Sequence, residues 1–139
     1  MPIDFSEHSR KALGYALGFA LQFRAEITLL HVVEPFVYPA DWMFPLMSDD
    51  SAETRKFLVE QLKALTKKHR GSAQAIVCSG LAWKEIVATA KKQKTDLIVI
   101  GTHGYSGVKH ALLGSVAERV VRHASCPIFI VRPDERDFL

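Results

Sequence analysis

The chain has 139 residues, a formal net charge of +3 at pH 7, 48% hydrophobic residues and 24% charged residues. This length fits one domain, which we expect to span residues 1–139 and to end in a polar tail over residues 133–139. No apolar run approaches the ~20 residues of a membrane helix, and no signal peptide precedes the first charged helix. Basic clusters fall at predicted helix ends, so a nucleic-acid partner is disfavoured. Two cysteines make no disulfide framework, so we expect a cytoplasmic protein with reduced thiols. We expect neither a membrane nor a nucleic acid as a partner.

Two kinds of segment alternate along the chain. Apolar residues at helical spacing predict helices over residues 6–23, 51–69, 82–92 and 115–124. Short β-branched runs predict strands over residues 25–33, 72–78, 96–100 and 126–132. The alternation predicts a parallel sheet with helices on both faces, which is an α/β fold. In such sheets, ligands bind at the carboxyl ends of the strands, where the strand order reverses.

The first two helices carry specific packing predictions. Ser6 is expected to cap the first helix, and Gly14 and Gly18 are expected to permit close packing on the sheet. Leu21 belongs to the apolar stripe of that helix, and Phe57 is expected to face inward from the second. Between them, residues 36–50 have no period but hold several large apolar side chains. Two interpretations are equally favoured: the segment folds back over the second helix as a small additional core, or it forms a lid or a partner surface.

The stretch most informative about function is GTHGYSGVKHALLGS, residues 101–115. It follows a buried strand and runs into the N-terminus of an amphipathic helix. Gly101, Gly104 and Gly114 allow close backbone approach or positive φ. The helix start at Gly114 and Ser115 offers free N–H groups and a positive dipole end, which favour phosphate. Ordinary turn glycines are the alternative, and local composition leaves the two interpretations equal.

The spacing of this stretch, G-x-x-G and then, after nine residues, G-S, resembles the nucleotide-binding signature of the universal stress protein family, in its ATP-binding branch. Other segments are similar as well: Asp4-Phe5-Ser6-Glu7, Leu29-Leu30-His31-Val32, and Ser115-Val116-Ala117-Glu118-Arg119-Val120 followed by Cys126-Pro127. The resemblance covers nearly the whole chain. Both G-x-x-x-x-G-K-[ST] and G-x-G-x-x-G after a strand are absent.

The resemblance implies a Rossmann-like sheet with strand order 3-2-1-4-5 and a regulatory protein that binds ATP, with Mg²⁺ or Mn²⁺ on the phosphates. It implies a nucleotide site formed by Asp4, Val32, Ile100, Gly101, Thr102, His103, Gly104, Gly114, Ser115 and Val116. Asp4 would lie near the ribose and the phosphate-bound metal, and the backbone of Val32 would meet the adenine. Capping of the first helix is the alternative role of Asp4.

One part departs from the family pattern. A longer strand precedes the aspartate in the family, whereas residues 1–3 are too few for an ordinary strand. We therefore expect the central first strand to be truncated, which would leave strands ~10 Å apart where a ladder needs ~5 Å. Either the chain begins downstream of its true start, or another segment fills the gap.

Two other classes of function are alternatives: an enzyme that hydrolyses or transfers nucleotide phosphates, and an interaction module without nucleotide. No nucleophile with an orienting acid can be identified, and none of the six histidines has metal-ligand spacing. His103 is expected to contact ligand or solvent, and His31 to be hydrogen-bonded near a strand end. We expect no enzyme activity beyond slow ATP hydrolysis.

The composition of the last predicted strand indicates that the chain forms a dimer. Its residues Ile128, Phe129, Ile130 and Val131 carry no charge, and a bare apolar edge is usually paired or covered. Pairing with a second copy predicts a homodimer centred on Phe129, Ile130 and Val131. The resemblance points the same way. The alternative cover is the tail over residues 133–139, although its charged side chains favour water.

Overall fold

The structure is a computed structural model that describes residues 1–34, 51–67, 71–102 and 113–132. The helices within these residues are α1 (Glu7–Phe23), α2 (Ala52–Leu65), α3 (Ala82–Lys92) and α4 (Ser115–His123). The strands are β1 (Ile27–Val33), β2 (Ala73–Ser79), β3 (Ile98–Gly101) and β4 (Ile128–Val131). Each predicted helix and strand is present, and the largest difference is the end of α2 at Leu65, earlier than predicted.

Three parts of the predicted molecule lie outside the described residues. They are residues 36–50, the glycine loop over residues 103–112 with His103 and Gly104, and the tail over residues 133–139. Both interpretations of residues 36–50 therefore stay predictions. The single domain over residues 1–139 also stays a prediction.

The strands form two parallel pairs, β1 with β2 and β3 with β4. Residues 1–3 run along the other edge of β1, where Pro2 bridges Leu30 in parallel. The N–H of Ile3 donates to the Leu30 carbonyl at 2.8 Å, and the N–H of Leu30 donates to the Met1 carbonyl at 2.9 Å. Parallel strands flanked by helices confirm the predicted Rossmann-like α/β fold.

Residues 1–3 therefore occupy the place beside β1 that the truncated first strand was expected to leave empty. Their ladder is short because the chain turns away at Phe5, whose φ of 62° lies in the left-handed region. Within the described ranges, no main-chain pairing joins residues 1–3 to β3. The gap expected from the sequence is thus filled on the β1 side.

Helices cover both faces of the sheet, as predicted. On one face, α1 and α2 pack in a core that contains Leu29, Leu62 and Val99. On the other face, α3 and α4 pack around Leu30 and Val120. Successive residues of β1 therefore point to opposite faces. Because Leu29 and Val99 share a core, the two strand pairs are packed under the same helical layer.

Two helices begin at different kinds of cap. The Ser6 hydroxyl accepts a hydrogen bond from the N–H of Ser9 at 3.2 Å, which confirms the predicted cap of α1. The residue before α3 is Leu81, whose side chain makes no cap bond. Oε1 of Glu34 accepts from the N–H of Ala82 at 2.8 Å instead. This bond ties the end of β1 to the start of α3.

Two predictions of inward-facing residues are wrong. Leu21 is 68% exposed and Phe57 is 58% exposed. The buried stripe of α1 passes through Ala16 and Ala20, and Leu21 lies about 100° further around the helix. Phe57 is displaced in a similar way from the stripe of α2, which passes through Leu62.

Gly14 also differs from its prediction. It is exposed, and a β-carbon added there would meet no atom within 4 Å. It therefore faces solvent and does not bring α1 closer to the sheet.

Two predictions from composition concern cysteines and membranes. The thiols of Cys78 and Cys126 are free, as expected. In the part of the chain that the structure describes, no helix has the length and hydropathy to cross a bilayer.

Candidate functional site

Residues 1–3 run parallel to β1, so both end at the same edge. The end of β3 at Gly101 lies against the first turn of α1, which follows residues 1–3, and the N–H of Gly114 before α4 donates to the Thr102 carbonyl. We call the space at these ends the crevice. Its boundaries are Val32 on β1, Asp4 after residues 1–3, Gly101 on β3 and Gly114 before α4. Ligands of parallel α/β proteins bind at this edge.

Thr102 connects β3 to α4. Its N–H donates to the Val131 carbonyl at 3.0 Å, and its own carbonyl accepts from the N–H of Gly114 at 2.7 Å. Thr102 is only 2% exposed, so both bonds are shielded from water. The start of α4 is therefore fixed against the carboxyl end of β3.

The first turn of α4 is open to an anion. Gly114 is its cap residue, with an extended backbone (φ −69°, ψ 155°) and no side chain that could cap the helix. Among the described residues, the N–H groups of Ser115 and Val116 have no acceptor. These N–H groups and the helix dipole favour a negatively charged group.

Val32 presents main-chain groups to the crevice. The N–H of Ile27 donates to Ser72 and the carbonyl of Val33 accepts from Gly80, so the odd-numbered residues of β1 bond to β2. The N–H and carbonyl of Val32 therefore point to the opposite edge, where Leu30 pairs with residues 1–3. No partner for Val32 on that edge is found among the residues that the structure describes.

Gly101 has a packing role that was not predicted. A β-carbon at this position would lie 3.1 Å from both the carbonyl carbon and the carbonyl oxygen of His8. Within the described glycines, positive φ occurs at Gly80, as befits a turn, and not at Gly101. Glycine at position 101 therefore lets the first turn of α1 pack directly on β3.

Asp4 begins α1. Its Oδ1 accepts hydrogen bonds from the Ser6 N–H at 3.0 Å and from the Ser6 hydroxyl at 2.6 Å. Burial, the largest single influence, raises the pKa of Asp4, but hydrogen bonds from Ser6 and Ser9 together outweigh it and hold the pKa below 3.8. The structure therefore gives Asp4 the helix-start role that the sequence left as the alternative.

The low pKa of Asp4 predicts a loss of stability in acid. The ionised carboxylate stabilises the native state fully above its ordinary pKa of 3.8, and this contribution disappears as pH falls through the lower native pKa. Urea unfolding of the native protein and of Asp4→Asn across this range should show a shallower decline of unfolding free energy for the variant. Equal slopes below about pH 4 would contradict the assignment.

The other predicted site residues differ in accessibility. Ile100 is buried, with its side chain in the core under α3 and α4. Ser115 is exposed at the crevice, and Val116 is half-buried. His103 and Gly104 lie outside the described residues.

The cap of α3 and the partners of His31 were not assigned from the sequence. Glu34 caps α3, and the absence of a capping side chain at Leu81 was the available signal. Nδ1 of His31 lies 2.7 Å from the Ile3 carbonyl oxygen, and its ring centroid lies 5.0 Å from that of Phe5. His31 is thus hydrogen-bonded near a strand end, as expected, and it contacts the turn that carries Asp4.

Metal binding by side chains finds no support in the described residues, where no group of three His, Cys, Asp or Glu could hold an ion. The Asp4 carboxylate is already engaged by the start of α1.

These features define a parallel α/β protein with an anion-accepting helix N-terminus and an open strand edge in one crevice. Residues 1–132 match the universal stress protein family, and the chain belongs to that family. It is 35% identical to Universal stress protein MJ0531 of Methanocaldococcus jannaschii, over 99% of this chain and 82% of that protein. The resemblance found in the sequence is therefore confirmed.

Solved structures share the fold. Universal stress protein UspA from Lactobacillus plantarum matches with a TM-score of 0.77 and 24% identity over 94% of each chain. A universal stress protein in complex with cAMP matches with a TM-score of 0.69 and 22% identity, over 94% of this chain and 93% of that one. At these identities, the matches establish the fold alone.

Proposed function

We propose that this universal stress protein binds ATP in the crevice as a regulatory ligand. The hydrogen bond from Gly114 to Thr102 carries the proposal, because it fixes the open N-terminus of α4 beside the end of β3. An anion-accepting helix end next to an open strand edge suits a ligand with phosphates at one end and a planar base at the other. The cAMP complex of a structurally similar family member supports an adenine nucleotide.

The phosphates would lie at α4. The N–H groups of Ser115 and Val116 and the exposed Ser115 hydroxyl supply the donors, and glycine at position 114 leaves the approach unobstructed. The ribose and phosphates would also be lined by the end of β3 and the residues after it, which are Ile100, Gly101, Thr102, His103 and Gly104. Of these, Thr102 would act through its main chain, which joins the end of β3 to the start of α4.

The adenine would meet Val32. A main-chain N–H and carbonyl on one strand residue match the adjacent acceptor and donor on the edge of adenine. The contact needs no special side chain, which agrees with a plain valine at this position.

Mg²⁺ or Mn²⁺ would be carried by the phosphates and not by a protein carboxylate. Asp4 would remain near the ribose side as the residue that shapes the start of α1. A metal bound to the nucleotide neutralises phosphate charge and so reduces the repulsion between the nucleotide and the Asp4 carboxylate.

The side chains identified for the crevice favour a regulatory role for the bound nucleotide over its hydrolysis. Phosphoryl transfer needs a positioned nucleophile and neutralised charge, and no base for attacking water was identified in the sequence. We expect steady-state ATP turnover far below the ~1 s⁻¹ at the low end of ordinary enzymes. We also infer that the protein acts in the cytoplasm as a homodimer through β4.

The proposed function is tested by thermal unfolding with and without ATP and Mg²⁺. Saturating ligand should raise the melting temperature, since a ligand at 100 times its Kd stabilises the native state by about 2.7 kcal/mol. Gly114→Val should abolish the increase, because its side chain would stand at the N–H groups of α4. The extended backbone at position 114 accepts valine, so the unliganded fold should persist.

A matched control is available at the other end of the same helix. Ala124, the residue that follows α4, has nearly the same backbone conformation (φ −68°, ψ 146°). Ala124→Val should keep the ATP-dependent increase, whatever its own melting temperature. Full ATP affinity in Gly114→Val, or no response in the unmodified protein, would overturn the phosphate assignment.

A further inference from the structure

The pairing between residues 1–3 and β1 stops one step before the strand does. The Met1 amino group donates to the Thr28 carbonyl, and Leu30 makes the next two bonds, one to Met1 and one to Ile3. The next bond in this register would join the N–H of Val32 to the carbonyl of Ile3. That bond is absent from the described residues.

The side chain of His31 takes the place of that bond. Its Nδ1 lies 2.7 Å from the Ile3 carbonyl oxygen. A carbonyl oxygen can only accept, so Nδ1 carries the hydrogen and donates. His31 thus satisfies the last carbonyl of residues 1–3, although the strand neighbour in register is Val32.

A contact between the rings of His31 and Phe5 also stabilises the turn that follows Ile3. The rings of His31 and Phe5 have centroids 5.0 Å apart at an interplanar angle of 45°. Phe5 has a φ of 62°, which costs a non-glycine residue free energy unless surrounding contacts maintain it. Contacts with His31 therefore fix both Ile3 and Phe5, the two neighbours of Asp4.

We propose that His31 is a positioning residue, which keeps the ladder open at Val32 so that the Val32 main chain is available to a ligand in the crevice. The consequence for affinity rests on the proposed nucleotide function, whereas the open ladder can be measured without any ligand. A planar base with adjacent donor and acceptor atoms would occupy the bonding position that residue 32 would otherwise share with residue 3.

Amide hydrogen exchange of the ligand-free protein tests the open ladder. The Leu30 N–H is bonded to Met1 and should be protected, whereas the Val32 N–H should exchange roughly tenfold faster or more. Equal protection of these two amides in the unmodified protein would overturn the proposal.

Two substitutions separate the hydrogen bond from the ring. His31→Phe keeps an aromatic ring against Phe5 but has no donor, so the Ile3 carbonyl becomes available to Val32. We expect higher protection of the Val32 amide and a roughly tenfold weaker nucleotide affinity. His31→Asn places an amide N–H group at the position of Nδ1. It should keep the Val32 amide exposed and the affinity within about threefold.

The outcomes distinguish this proposal from the proposed function. If the unmodified protein binds no nucleotide, the function fails, and the exchange of the Val32 amide still decides the role of His31. If nucleotide binds and His31→Phe changes neither exchange nor affinity, the positioning role is wrong and the function stands. Loss of affinity in both variants to the same degree would also contradict a role for the Nδ1 donor.

Discussion

Gly101→Ala is expected to lower the free energy of unfolding by about 1–3 kcal/mol, the usual range for adding a group to a filled core. The new β-carbon would lie 3.1 Å from the main chain of His8, which is too close for an ordinary contact. Main-chain atoms in the first turn of α1 cannot rotate away as a side chain can. The turn must therefore shift, and it begins at Ser6, whose partner is Asp4.

The same substitution at Gly14 is a control of opposite sign. Gly14 lies within α1 on the exposed face, with no atom near a new β-carbon. Alanine there should raise the unfolding free energy by about 1 kcal/mol, because glycine is a poor helix former. Urea unfolding with comparable m-values measures both changes. Destabilisation by both variants, or by neither, would contradict the packing assigned to Gly101.

Most of the fold was predictable from local pattern. Buried strands of β-branched residues and amphipathic helices alternate so regularly that the parallel arrangement follows from the connections. The errors at Leu21 and Phe57 have one cause. Spacing identifies a stripe only to within about one residue, or about 100° of helix rotation, and the layer that covers the stripe selects its true centre.

The candidate site was predictable in its main-chain parts and less so in its side chains. The position of Gly114 and Ser115 before a helix follows from the sequence, because the helix start and its dipole are local features. The contacts of Gly101 with His8, and of His31 with Ile3, join residues far apart in the chain. Such contacts depend on how elements pack, which local spacing does not determine.

The geometry of β4 refines the predicted dimer contact. The Phe129 ring packs within the chain, with ring centroids 5.7 Å from Tyr15 and 5.0 Å from Phe19. Val131 is only 1% exposed. The Val131 side chain is therefore unavailable as a contact surface and that of Phe129 is half-buried, so we expect pairing through β4 to rely mainly on its main chain.

The outer edge of β4 carries main-chain groups of Ile128 and Ile130. The N–H groups of Ile98 and Thr102 donate to the carbonyls of Pro127 and Val131, each at 3.0 Å. Odd-numbered residues of β4 therefore bond to β3, and even-numbered residues direct their N–H and carbonyl groups away from it. No strand pairs with this edge in the residues that the structure describes.

Ile130→Pro is therefore expected to convert a homodimer into a monomer at micromolar concentration. Proline removes the outward N–H of residue 130, but it removes no bond to β3, so the fold should survive. Ile130→Val keeps the N–H and most of the side chain, and it should remain dimeric. Sedimentation would show particles of twice the chain mass for the unmodified and valine proteins, and of the chain mass for the proline variant. A monomeric unmodified protein would refute the dimer. Antiparallel pairing across a two-fold axis uses the Ile130 N–H, so a dimer that persists with proline would exclude the β4 edge as its contact.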